Sequence, residues 1–227
     1  MSKRPYFVVA AGAALAVAAL AVPGAAVRPA DAAAAAAANR AALVPPIPPG
    51  MAEALFAGGC FWSTETDLQK VPGVVRTTAG FAGGRVKNPS YEDVSTGQTG
   101  HREAVRVIYD PKRITYVQLV DAFLHTIDPA DAGGTFCDRG DEYRTAIFAL
   151  TLAQQTDAQQ ALKRLERMPR FKGHIATQVL PGAPFYAAED YHQDYHHKNP
   201  LRYGNYREGC GRDAALRAIW GKAPGER

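Results

Sequence analysis

Cysteine is scarce in this chain: Cys60, Cys137 and Cys210 are the only three among 227 residues. Three are too few for a disulfide scaffold in a domain of this size, so at least one thiol calls for a chemical explanation. A Cys-x-x-Cys pair is also missing, which weighs against a dithiol exchange protein. Excess charge is absent once its location is considered. Of the 26 basic and 22 acidic residues, four and one fall in the first 50, so the remainder carries 22 against 21. Without a basic stripe or interleaved aromatic and basic residues, nucleic-acid binding has no support. No internal repeat is visible, and the length suits one domain.

What the first fifty residues do contain is the order of an export signal. Lys3 and Arg4 precede an apolar stretch from Tyr6 to Val22, and small residues around Gly24 follow. Residues 1–27 therefore read as a signal peptide or N-terminal anchor. The apolar stretch is short of the ~20 residues that span a bilayer, so membrane attachment holds only if the segment stays uncleaved. No cysteine precedes Cys60 to carry a lipid. Residues 28–50, rich in Ala and Pro, read as a disordered linker, because they offer little for a packed core. Residues 51–227 are expected to form a single folded domain with a flexible C-terminal tail.

Within that domain the hydrophobic pattern alternates between strand and helix. The apolar run 54–57 predicts a buried strand ending at Gly58 and Gly59, and residues 61–70 a helix stopped by Pro72 and Gly73. Strands follow over 74–81 and 103–109, the second with Val105, Val107 and Tyr109 on one face. Thr115 with Gln118, and Thr151 with Gln154, form capping patterns that open two helices, one reaching about Ile127 and the other about Met168. Residues 143–150 and 174–180 read as further strands, and 187–197 as a short helix. The first six elements run β-α-β-β-α-β, a ferredoxin-like α/β (α+β) two-layer sandwich with extra C-terminal helices and a long irregular tail.

Cys60 opens a helix behind two glycines. The unpaired N–H groups of a helix N-terminus stabilise a thiolate, which predicts a lowered thiol pKa, and the glycines suggest close approach of a substrate to the backbone. Taken alone, such a residue is better read as a structural cysteine. The surrounding strings change that reading. GGCFWSTE, GFAGG, NPSYEDV, TGHREAV, CDRGDEYRTAIF and PFYAAEDYHQDY occur in one order across residues 54–212. Together they resemble the A-type peptide methionine sulfoxide reductases, which implies an α/β core, reduction of the S epimer of methionine sulfoxide, and no metal or bound cofactor.

The resemblance also implies roles. Cys60 would attack the substrate sulfur, and Glu103 would act as the acid on the sulfoxide oxygen, a poor leaving group until protonated. Tyr91 and Tyr143 would donate hydrogen bonds to that oxygen, and Asp138 would position substrate and water. Phe61 and Trp62 resemble a pocket for the sulfur-bound methyl group, with Gly59 and His192 beside the substrate. His192 and His196 are four residues apart, a metal-compatible spacing, but Gln193 stands where a zincin-type Glu belongs, so no metal is expected.

A sulfenic acid at Cys60 needs a second thiol to clear it. Cys210, flanked by Gly209 and Gly211, is the expected resolving partner, and Cys137 the alternative. Oxidised methionine-containing proteins and peptides would be the substrates, a thioredoxin or periplasmic thioredoxin-like dithiol the reductant, and the enzyme a monomer, periplasmic or secreted. Two other readings remain at this point: a thiol-disulfide oxidoreductase acting on cysteine substrates, and a non-catalytic peptide-binding module built on Trp62 and the tyrosines.

Overall fold

Alternating apolar residues form sheet here because each face finds a cover of its own. A computed structural model describes residues 28–221; the signal expected over 1–27 and the last six residues lie outside that range. Helix α1 spans Pro29–Ala42. Strand β1 (Ala52–Ala57) leads into α2 (Phe61–Gln69) and β2 (Val74–Ala82), and a short α3 (Tyr91–Ser95) precedes β3 (Arg102–Tyr109) and α4 (Tyr116–Leu124). A small hairpin follows, β4 (Gly134–Thr135) with β5 (Asp138–Arg139), then a 3-10 turn at Asp141–Tyr143, β6 (Ala146–Ala149) and α5 (Leu152–Glu166). The chain continues through β7 (Gln178–Pro181), β8 (Phe185–Ala187), α6 (Tyr195–Lys198), α7 (Pro200–Gly209) and α8 (Arg212–Trp220).

The main sheet has strand order β7-β6-β1-β3-β2-β8, with β6 and β7 parallel and the other neighbours antiparallel. Its inner four strands with α2 and α4 give the β-α-β-β-α-β order read from the sequence. Residues on β1 divide by parity: Ala54 and Phe56 join the large core with Phe61, Leu119, Phe123 and Ala158, while Leu55 and Ala57 join a smaller cluster with Phe148 on the other face. Phe56 stacks on Phe123 at 4.5 Å between centroids, which ties α4 to the sheet centre. The box at Thr115 and Gln118 is formed as expected. At Thr151 only the first half forms; the Gln154 side chain instead bonds Leu150 N–H and the Glu53 carbonyl, linking α5 to β1.

Three expectations are corrected. The 28–50 segment is not a disordered linker: alanine is the strongest helix former and Pro29 suits a first helical turn, so α1 forms. The residues after it lie on the sheet, where Arg106 donates to the Pro45 carbonyl (3.0 Å) and pairs with Glu53, and α1 itself is held by Arg40, which meets Glu189 at 3.4 Å. The 187–197 segment is not one helix. The Gln193 side chain bonds Ala79 N–H (2.8 Å), the Ala79 carbonyl (2.9 Å) and the Ala188 carbonyl (3.0 Å), imitating a strand partner, and Asp194 turns left-handed at φ 52° before α6 begins. Finally, the tail to Trp220 is helical rather than irregular. Asp67, on α2 and fully buried, meets Arg207 of α7 at 3.0 Å and Arg212 of α8 at 3.8 Å, which fixes both helices to the domain.

Candidate active site

Cys60 stands at the N-terminus of α2, directly after β1, where the chain must turn sharply from strand to helix. Gly59 takes φ +78°, and a Cβ there would meet Thr135 Cβ at 2.7 Å; one on Gly58 would meet Thr64 Oγ1 at 2.6 Å. The glycines thus admit protein side chains. The Cβ direction of Gly59 is filled by Thr135 and not open to a substrate, contrary to the sequence reading. Cys60 itself is buried, 6 % exposed. Burial, and then the charges of Glu103 and Asp138, push its thiol above the usual range, against the opposing effects of the Tyr206 hydroxyl and the Trp62 amide. The lowering expected from the helix terminus is therefore outweighed, and the resting residue is a thiol.

Glu103 reaches the same place from β3. Its residue is 3 % exposed, and Oε2 accepts the Phe61 N–H at 2.8 Å. Burial pushes this carboxyl up to about 8, with smaller contributions from Asp138 and Glu142 and an opposing one from the Phe61 amide. At neutral pH it is protonated. Tyr91, at the start of α3, and Tyr143, at the end of the 3-10 turn, are hydrogen-bonded to each other; burial and then Glu103 push both phenols up. Asp138, on β5, is likewise pushed up by burial, opposed by the Tyr206 hydroxyl, Arg212 and the Cys60 N–H.

Two residues unnoticed in the sequence complete the arrangement. Tyr206 of α7 donates to Asp138 Oδ2 at 2.7 Å and hydrogen-bonds the Cys60 sulfur, so it bridges thiol and carboxylate. Arg212 is fully buried, donates to the Thr126 carbonyl at 2.8 Å and lies 4.9 Å from the Phe136 ring centroid. Neither carries a local signal, because their partners are more than sixty residues away.

The aromatic residues divide into floor and wall. Phe61 is buried, 1 % exposed, against Phe81 (5.8 Å), His192 (5.0 Å) and Tyr91 (6.3 Å). Trp62 stacks on Tyr195 at 3.8 Å and lines a cleft of about 290 Å³ with Tyr91, Tyr191, His192 and Arg202. Its Nε1–H donates to His192 Nδ1 at 3.0 Å. Burial holds His192 down to about 4, so at neutral pH the ring is neutral and can accept this bond. His196 packs against His197, with ring centroids 3.8 Å apart and the planes tilted by 41°.

The sulfur pairing differs from expectation. Cys210 is bonded to Cys137 (S–S 2.11 Å), and Cys60 is free. The expected Cys60–Cys210 link is not the one present, because Cys137, at the tip of the β4–β5 hairpin, faces the C-terminal cap of α7 where Cys210 sits.

Comparison with known proteins decides the family. The peptide methionine sulfoxide reductase model matches residues 52–224. The chain belongs to that family. Relatives include the peptide methionine sulfoxide reductase MsrA 2 of Caulobacter vibrioides, 49 % identical over 174 residues (76 % of this chain, 87 % of the relative). The MsrA of Bacillus licheniformis is 46 % identical over 169 residues (74 % and 93 %). Among solved structures, methionine sulfoxide reductase A of Corynebacterium diphtheriae is 37 % identical with TM-score 0.62, over 67 % of this chain and 77 % of that one. Mxr1 of Saccharomyces cerevisiae in reduced form is 33 % identical with TM-score 0.64, over 68 % and 88 %. Like other peptide methionine sulfoxide reductases A, this enzyme reduces methionine sulfoxide through a cysteine disulfide cycle.

Proposed function

We propose that Cys60 is the nucleophile and Glu103 the acid in reduction of the S epimer of methionine sulfoxide, in proteins and as the free amino acid. The observation that carries this is a protonated carboxyl and a free thiol buried side by side at the α2 terminus. The sulfoxide oxygen is received by Glu103, Tyr91 and Tyr143, whose neutral groups are all donors at pH 7. The methyl group lies against Trp62, with Phe61 beneath it and His192 orienting the indole. Cys60 Sγ attacks the sulfur while its proton passes through the Tyr206 hydroxyl to Asp138, and Glu103 protonates the oxygen. The protonated oxygen then passes from the substrate sulfur to Cys60 Sγ: the Sγ–sulfur bond and the substrate S–O bond break as the Sγ–O bond forms, leaving methionine and Cys60–SOH, and return of the proton from Asp138 to Glu103 resets both groups.

The reductant is a thioredoxin or a periplasmic dithiol protein of that kind, acting on an accessible disulfide. The enzyme works as a monomer outside the cytoplasm. Export is supported by the charged, apolar, small-residue order of residues 3–26. Among the described residues no helix is long and apolar enough to cross a membrane. The test is an assay of each epimer of a methionine sulfoxide peptide with dithiothreitol: methionine from the S epimer alone is expected, and product from the R epimer or from neither would refute the reading.

A further inference from the structure

The disulfide bond leaves out the nucleophile, and the geometry around it orders the three sulfurs. The β4–β5 hairpin is tied to Cys60 on both sides of its tip. Thr135 packs into the Cβ direction of Gly59, and the Asp138 carboxylate accepts the Cys60 N–H. Cys137 lies between those two ties, with its Sγ 3.8 Å from Asp138 Oδ1. Cys210, by contrast, sits one helical turn beyond Tyr206, and its Sγ accepts the Cys137 N–H at 3.2 Å. An amide N–H aimed at a sulfur favours the thiolate there, so Cys210 is the sulfur suited to attack and to leave. Cys137 is the exposed member of the pair and Cys210 the more covered one.

We infer that Cys137 is the resolving thiol and Cys210 the second relay thiol, so that Cys137 is the sulfur attacked in every exchange after the first. This rests on Cys60 being the nucleophile. In the first exchange Cys137 Sγ attacks Cys60–SOH, and its proton passes by way of the Asp138 carboxylate to the departing hydroxide, which leaves as water. The product is Cys60–S–S–Cys137. The Cys210 thiolate then attacks Cys137 Sγ and expels Cys60 as thiolate, giving the Cys137–Cys210 bond and restoring the nucleophile. The two electrons delivered to the sulfoxide have thus come from the Cys137 and Cys210 thiols. An external dithiol attacks the exposed Cys137 Sγ, and Cys210 leaves as a thiolate held by the Cys137 amide. The relay moves the oxidised bond from a buried sulfur to an exposed one without moving the nucleophile from its site.

The experiment is a single turnover of the fully reduced protein with one equivalent of S-sulfoxide peptide and no reductant, quenched in acid and mapped by mass spectrometry of the cysteine peptides. Wild type should end as Cys137–Cys210 with Cys60 free and one methionine released. Cys210→Ser should stop as Cys60–Cys137. Cys137→Ser should form no disulfide and leave a Cys60 sulfenic acid that dimedone traps. All three should release the first methionine, and loss of that release would instead overturn the role of Cys60. A Cys60–Cys210 bond in Cys137→Ser, or a sulfenic acid left in Cys210→Ser, would overturn the order proposed here.

Discussion

Replacing Glu103 by glutamine separates the chemical use of this carboxyl from its structural cost. The carboxyl is 3 % exposed and titrates at about 8 in place of 4.5. Because the folded pKa is raised, the folded state holds a proton that the unfolded state has lost between these two values, so stability falls as pH rises through this window. Linkage puts the cost of burying this group at about 1 kcal/mol at pH 5, about 3 kcal/mol at pH 7 and about 5 kcal/mol at pH 9. Glutamine can still accept the Phe61 N–H and carries no charge. Glu103→Gln should therefore become more stable relative to wild type by about 4 kcal/mol from pH 5 to pH 9, while turnover falls about 10²- to 10⁴-fold because an amide cannot supply the proton. Urea unfolding at both pH values and steady-state kinetics with dithiothreitol measure the two effects. A stability difference independent of pH, or a change confined to KM, would refute the buried neutral acid.

Wild-type turnover should also decline as pH rises through about 8, where Glu103 loses its proton; a pH–rate profile flat to pH 9 would count against it. Tyr206→Phe should lower kcat by about 10²-fold with little change in KM, since it cuts the link between Cys60 and Asp138 while leaving the aromatic wall in place. Gly59→Ala places a Cβ 2.7 Å from Thr135 at φ +78° and should cost about 1–3 kcal/mol of stability in chemical denaturation. Asp67→Asn leaves Arg207 and Arg212 without their buried counter-charge and should cost about 3–5 kcal/mol, read as a lowered unfolding midpoint.

Local patterns in the sequence were enough for β1, β2, β3 and α4, because alternation and a capping box are properties of neighbouring residues. Segment 187–197 misleads because the decisive contact is Gln193 with Ala79, a pair 114 residues apart that no local pattern reports. The alanine-rich α1 misleads differently: its propensity for helix is plain, but alanine gives no apolar stripe to announce a helix. At the candidate site, Cys60, Glu103, Tyr91, Tyr143 and Asp138 are singled out only by strings that occur together, and the fold brings these five side chains near one another. Tyr206 and Arg212 lie on helices that Asp67 anchors from α2, so only the assembled fold brings them in. The pairing of Cys137 with Cys210 spans 73 residues, and cysteine count alone left both partners open.

The account stands on Cys60 as the atom that takes the sulfoxide oxygen. Reduced protein carrying both Cys137→Ser and Cys210→Ser keeps Cys60 as its sole thiol and, given one portion of S-sulfoxide peptide without reductant, should release one methionine per enzyme. Intact mass should then rise by one oxygen located on the Cys60 peptide. Cys60→Ser with the other two cysteines present should release none. Methionine from Cys60→Ser at a rate comparable to wild type, or oxygen found on any residue but Cys60 in the double variant, would contradict it.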